Sequence, residues 1–440
     1  MEEALLGGRE EEKWRATWRA FWEELKMVSY IAVPMVAVMV SQYLSQVILL
    51  MMVGHLGELA LSGIAIASSV TNVTGFSFVF GMAGALETLC GQAYGAQQYQ
   101  KLGTYTNCSM VSIIPVCIPI CFLWIFMDQL LVLLGQDFEV AMLFNLAYTW
   151  IVYLSISPVI IRYFQCQGLI PPMFLSSCAA LCLHIPVCWI LLHKTNLGII
   201  GAALSTGLSF WFNVVLLGIY MRYSSSCDKS RALIFNDIFL SIKEFFSFAL
   251  PSAVMFLVIF SFIMVIVVLS GGHLRYLNCY QDFYQIQCLR HQFYPYGKLL
   301  NHLTTTSFHY LVPYGISAAA SNEKEVVNYV REMIPILCIS VIMDSVQAVL
   351  SGVARGTGLQ HIGAYVNLGA YYLLGVPVAV VLCFALNLRG KGLWIGILAG
   401  STVQASLLAL VTGLTNWQKQ ASNARERMLE GSVPANNESA

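Results

Sequence analysis

Charge is scarce in this sequence. Only 10% of its 440 residues are Asp, Glu, Lys or Arg, and 58% are hydrophobic. A soluble domain carries about a quarter charged residues, so there is too little charge to coat a water-soluble globule of this length. Strict polar–apolar alternation is scarce too. Stretches such as 113–126 do not alternate, which argues against a membrane β-barrel. The first 26 residues carry both signs of charge densely and hold no apolar h-region, so they do not read as a secretory signal peptide. They read as a cytosolic tail. No GxxxxGK[ST] loop, GxSxG elbow or HExxH pair occurs, so neither direct use of ATP nor a hydrolytic centre is expected, and the chain is not read as an enzyme. The formal net charge is zero, which implies no nucleic acid or other highly charged partner. Eight scattered His show no ligand spacing, so no metal or other cofactor is expected. The thirteen Cys are odd in number and mostly inside apolar runs. Pairs such as Cys117/Cys121 and Cys178/Cys182 share a helix face and read as small buried hydrophobes rather than disulfides or metal ligands.

What the chain does have is long apolar blocks, each of about twenty residues or more, enough to cross a bilayer core as helix. Expected spans lie at roughly 29–53, 60–90, 106–134, 140–163, 173–193, 198–221, 237–271, 303–321, 326–353, 362–386 and 393–415. Turn signals separate them, among them GHLG (54–57), GQD (135–137), KTN (194–196) and RGKG (389–392). The fold class is therefore an all-α polytopic membrane protein, its environment the lipid bilayer. Lys and Arg gather in the N-terminal tail, in 222–243 and after 416, and are absent from 54–58 and 135–139. The positive-inside rule then puts the N-terminus in the cytosol.

The sequence also repeats itself. LKMVSYIAVP (25–34) resembles SIKEFFSFALP (241–251), FGMAGAL (80–86) resembles YGISAAA (314–320), GLIPPM…HIP (168–186) resembles GLQHIG…GVP (358–377), and LGIIGAAL (197–204) resembles GLWIGILA (392–399). The order is the same in both halves. Corresponding residues stand 217 apart at Pro34/Pro251, 234 at Gly81/Gly315, 190 at Gly168/Gly358 and 195 at Gly201/Gly396. A constant offset would mean equal halves. Instead it rises by 17 and then falls by 44, about one span with its loops. The inferred parent has twelve spans in two pseudo-repeated helical bundles, with about eleven present here. The expected divisions are a tail at 1–28, an N-lobe of six spans at 29–222, a cytosolic loop at 223–236, a C-lobe at 237–415 and a cytosolic tail at 416–440.

MMVGHLGELALSG (51–63), GALETLCGQAYGA (84–96), LLGQDFEVA (133–141), LGIIGAALST (197–206), SGVARGTGLQHIGAYVNLGAYYLLGVPVAV (351–380) and RGKGLWIGI (389–397) resemble the plant branch of the multidrug and toxic compound extrusion family. The similarity covers about 25–255 and 304–418. It implies twelve helices, a cavity between two lobes, and export of organic cations, xenobiotics or secondary metabolites in exchange for protons. It also implies a monomer in the plasma or vacuolar membrane. The chain departs from the family at two places. At 256–303 the family's acidic seventh helix is replaced. There QDFYQIQCLRHQFY (281–294), read one nucleotide out of register, can give SGLLPNPMLETSVL, which fits a retained intron and an exon translated out of frame. At the 321/322 junction a charged loop and a helix are missing, as a skipped exon would leave them. The family's seventh-helix carboxylates would fall near Ile259 and Met264, which cannot hold a proton. An odd span count means that either the last three helices invert or 303–321 stays out of the membrane. The alternative function is then a mis-spliced, non-transporting membrane protein that is degraded or associates with the intact carrier.

Five residues are candidates for proton or substrate binding. Asp344 sits mid-span in ISVIMDSVQAVLSG. Apolar surroundings favour a protonated carboxyl, as a proton-coupled carrier requires, although a carboxyl hydrogen-bonded to neighbouring Ser or Gln would also survive there. Glu87, near the end of the second span, reads equally as packing or as cavity lining. Gln46, Tyr43 and Asn72 could line a cavity or bond between helices. Pro34 and Pro251 could kink their helices as gates or simply as packing bends. Arg162 and Arg355, at span ends, read as snorkelling side chains.

Overall fold

The structure, a computed structural model, describes residues 2–54, 70–127, 129, 151–195, 197–231, 235–269, 324–388 and 390–430. Among them the regular structure is all helix. α1 is Glu2–Gly54; a π-helical turn, Asn72–Phe76, leads into α2 (Ser77–Ala83) and α3 (Ala85–Gly95); α4 is Tyr99–Ile125, α5 Ile151–Cys166, α6 Ile170–His193, α7 Ile199–Tyr223 and α8 Phe235–Leu269. Then come α9 (Lys324–Thr357), α10 (Gln360–Leu368), a π turn at Gly369–Gly375, α11 (Val376–Val380), a π turn at Val381–Ala385, α12 (Gly390–Leu414) and α13 (Trp417–Glu430). Eight helical stretches among the described residues are long and apolar enough to cross a membrane, from Val33–Val53 to Gly390–Leu414. The chain is an integral, multi-pass membrane protein. The expected span at 303–321, the segment at 281–294, the junction at 321/322 and the loop at 135–139 lie outside the described residues, as does the side chain of Met264.

Two apolar cores organise the helices. The larger joins α1 to α7, with Met35, Leu86, Cys108, Ile161, Phe164 and Leu217 buried in it. The smaller gathers Tyr371, Ala379, Leu393, Trp394 and Ile397 from the last helices. α8 serves both. Phe245, Ala249 and Ala253 enter the first core, and Phe256, Val258 and Ile259 enter the second. Residues 2–28, part of the stretch expected as a tail, continue the first span as helix. Ala, Leu, Glu, Lys and Arg are strong helix formers, and this stretch is rich in them. α1 and α8 run through Pro34 and Pro251. Membrane helices tolerate the lost N–H because neighbouring groups take up the freed carbonyl.

The internal repeat is visible in backbone hydrogen bonds. α5 ends with Gly168 at φ +68°, Gly168 N–H donating to the Gln165 carbonyl (3.0 Å) and Leu169 N–H to Phe164 (3.0 Å). α9 ends with Gly358 at φ +85°, its N–H donating to Arg355 (3.1 Å) and Leu359 N–H to Ala354 (2.8 Å). Both are the glycine C-cap in which two amide groups satisfy the last carbonyls of a helix. All four participating positions correspond at the offset of 190.

Chain direction follows from contacts. Val53 and Leu49 of α1 share a small core with Cys188 and Leu192 at the end of α6. Glu244, early in α8, accepts from Tyr105 Oη (2.9 Å), and Arg355, at the end of α9, meets Glu87. α9 therefore returns to the end from which α8 departs.

Candidate functional site: a charge cluster between the bundles

The stripe Gly81, Gly84, Glu87 recurs every third residue along α2 and α3, so it lies on one side of the rod. A Cβ on Gly81 would stand 2.4 Å from Ala253 Cα of α8. The backbones touch there because neither partner has a bulky side chain. A Cβ on Gly84 would lie 2.9 Å from the Gly81 carbonyl oxygen and in ordinary contact, 3.5 Å, with Arg355 Cδ. One turn further, Glu87 meets two guanidinium groups. Oε1 is 2.8 Å from Arg162 Nη1 of α5, and Oε2 is 2.8 Å from Arg355 Nε of α9. Arg162 also donates to Gln165 Oε1 (2.9 Å), and Arg355 stacks on the Phe256 ring, 5.2 Å from its centroid.

All three charged side chains are buried, at 6% exposure for Glu87, 1% for Arg162 and 2% for Arg355. The snorkelling expected of both arginines is thus corrected. Burying three charges is costly, and it is sustained here because each arginine finds a carboxylate oxygen at hydrogen-bond distance. The Arg355 carbonyl also accepts from Thr88 Oγ1, and Gln360 Nε2 donates to Thr88 Oγ1 (2.5 Å) and to the same carbonyl (3.3 Å). Gln92 Nε2 adds a bond to the Gly356 carbonyl (3.4 Å). The glycine C-cap of α9, together with Arg355, is therefore bonded to three side chains of α3. This arrangement holds one bundle to the other at a single end of the molecule.

Asp344 lies elsewhere. It is fully buried on a polar stripe of α9, Ser340, Asp344, Gln347, Ser351 and Arg355, spaced four, three, four and four. α9 packs closely on α12, whose Ser401 and Gln404 are also buried. Gln404 donates to Asn367, and Asn367 Nδ2 to the Met255 carbonyl (2.9 Å). The second bundle thus has a polar interior. Asp344 stands eleven residues, about 16 Å of helix, before Arg355. Tyr43 and Gln46 sit on α1, which packs chiefly on α6. There Gln42 Nε2 donates to Ser177 (3.5 Å), and Ser41 Oγ lies 3.6 Å from Cys178 Sγ. Asn72 opens the first π turn, fifteen residues before Glu87. The five candidates do not converge on one centre. Pro251 is half-buried beside the Ser252–Ala253 contact with Gly81. Arg162, Arg355, Thr88 and Gln360 were missed as site residues, although the polar stripe ending at Arg355 was there to be read.

Fold and site define a two-bundle, all-helical membrane protein closed at one end by a buried ion cluster. A profile described as MatE matches residues 34–190 and 299–381. Protein DETOXIFICATION 9 of Arabidopsis thaliana is 43% identical over 465 aligned positions that take in 92% of each chain, and Protein DETOXIFICATION 8 of the same plant is 44% identical over 93% of this chain and 92% of its own. A crystal structure of the eukaryotic MATE transporter AtDTX14 matches with a TM-score of 0.83 at 44% identity, covering 93% of this chain and 99% of that one. The chain belongs to the MatE family. The 465-position alignment is longer than the 440-residue chain, so the relative has residues with no counterpart here.

Proposed function

We propose that the chain is a secondary efflux transporter for xenobiotic organic solutes, driven by protons, whose two bundles part at the Glu87 end when that end opens. The observation that carries this is the Glu87–Arg162–Arg355 cluster, because it gives the two bundles a discrete contact that can be made and broken. Membership of a family with solved transporters supports it. Most Lys and Arg of the described connections sit at the Glu87 end: Arg222, Lys229 and Arg231 before α8, and Lys419, Arg425 and Arg427 on α13. The positive-inside rule assigns that end to the cytosol, together with the N-terminus. Asp344 is the proposed proton carrier, as a buried carboxyl among Ser and Gln in the second bundle.

The full chain in proteoliposomes, loaded with ethidium and given a pH gradient, tests this. Gradient-dependent ethidium flux is expected, and Asp344→Asn should lower it at least tenfold. Equal flux with and without the gradient overturns proton coupling. A second reading, a non-transporting partner of an intact carrier, is favoured by one observation. Ile259, where the family resemblance places a carboxylate, is buried in an apolar core with Val258 and Trp394. No ethidium flux from the unsubstituted chain would support that reading.

A further inference from the structure

α13 is covalently part of the second bundle, joined to α12 by Thr415 and Asn416. Its Trp417 lines a cleft with Val353, Thr357, Leu359, Leu408 and Val411, all residues of that bundle. The other end of α13 leaves the second bundle and attaches to the first. Met428 is 2% exposed and packs in the first core, and Lys101 Nζ of α4 donates to the Met428 carbonyl. Between these anchors, Arg427 lies over the Phe248 ring of α8, 5.2 Å from its centroid. Its guanidinium nitrogens are 3.5 Å from where a Cβ on Gly358 would stand, so it also abuts the turn that presents Arg355 to Glu87.

The helix is built for this position. Gln420, Ala424, Arg427 and Met428 form one covered face at helical spacing, while Lys419, Ser422, Asn423, Arg425 and Glu426 are exposed. Among the described residues, its hold on the first bundle includes the buried Met428 and the bond from Lys101 to the Met428 carbonyl. Those contacts are non-covalent.

We propose that α13 is a strap that fastens the first bundle to the second at the Glu87 end and must release Met428 before that end can open. The inference rests on the reading that the bundles part during transport. The buried ion cluster closes the contact from inside, and the strap closes it across the surface, so opening requires both to yield.

The test is a distance measurement that does not depend on transport. Spin labels are placed through Ser225→Cys, on the exposed turn of the first bundle, and His361→Cys, exposed at the start of α10 in the second, in a full chain whose native cysteines are replaced. The strapped chain should give one short distance population. Met428→Asp, which puts a charge into the first core, should raise a longer-distance population at least tenfold. Lys101→Met, which removes the carbonyl bond without burying a charge, should do the same to a smaller degree and decides the matter if the aspartate variant does not fold. Distributions unchanged from the strapped chain overturn the strap. Failure of the transport reading would show separately, as absent ethidium flux in the unsubstituted chain.

Discussion

Glu87 bridges the two arginines it touches, one carboxylate oxygen to each. Glu87→Gln would take from Arg162 and Arg355 the carboxylate that both touch, and breaking a buried pair from one side costs about 3–5 kcal/mol. Thermal unfolding of the purified protein should show the loss as a clearly lower Tm. Combining Glu87→Gln with Arg355→Gln should cost less than the two single changes added together, because the Glu87–Arg355 contact can be lost only once. Additive losses would mean that the residues do not act as a pair. None of this pairing was legible in the sequence. Arg355 and Glu87 are 268 positions apart, and no local spacing encodes such a contact. Taken one span at a time, an arginine at a helix end reads as reaching for water. Asp344 was legible, because a carboxyl amid an apolar run stands out by composition alone.

At the scale of elements, glycines do most of what the sequence could announce. Gly168 and Gly358 were paired in the sequence only as corresponding positions of the repeat, and they prove to be the same hydrogen-bonded cap. An L-residue in the left-handed region costs roughly 1–2 kcal/mol. Nothing lies within 4 Å of a Cβ at Gly168, so Gly168→Ala should lose that amount through the backbone alone. Gly91→Ala, helical with equally open space around it, should be neutral or slightly stabilising by the same unfolding measurement. Gly81→Val is different in kind. Its Cβ would collide with the backbone of α8, so it should loosen the seam between the bundles as well as lower the Tm. Span limits were read well where apolar runs end at polar turns, as at 173–193 against the observed Ile170–His193. The π turns went unread. They depend on how a helix is seated on its neighbours, as at Asn72–Phe76, where Trp124 Nε1 donates to Thr74 Oγ1 (2.8 Å) and its ring fills the space a Cβ on Gly75 would need (2.4 Å).

At the scale of the molecule, the two cores and the polar seam between them make a structure that can move in two pieces. The seam is closed at one end by the ion cluster together with the apolar contact of Phe245, Ala249 and Ala253 of α8 with the first core, and packed bodies with discrete contacts exchange between states instead of deforming gradually. The most direct test joins the bundles covalently across that contact. In a chain with its native cysteines replaced, Gln92→Cys and Gly356→Cys put thiols where Gln92 already reaches the Gly356 carbonyl at 3.4 Å. The pair is closed with a short bifunctional thiol reagent that a reductant can cleave, and ethidium flux is then measured in proteoliposomes under a pH gradient. The account predicts that cross-linking stops flux and that reduction restores it. Flux that continues at the reduced rate with the bundles joined would contradict it.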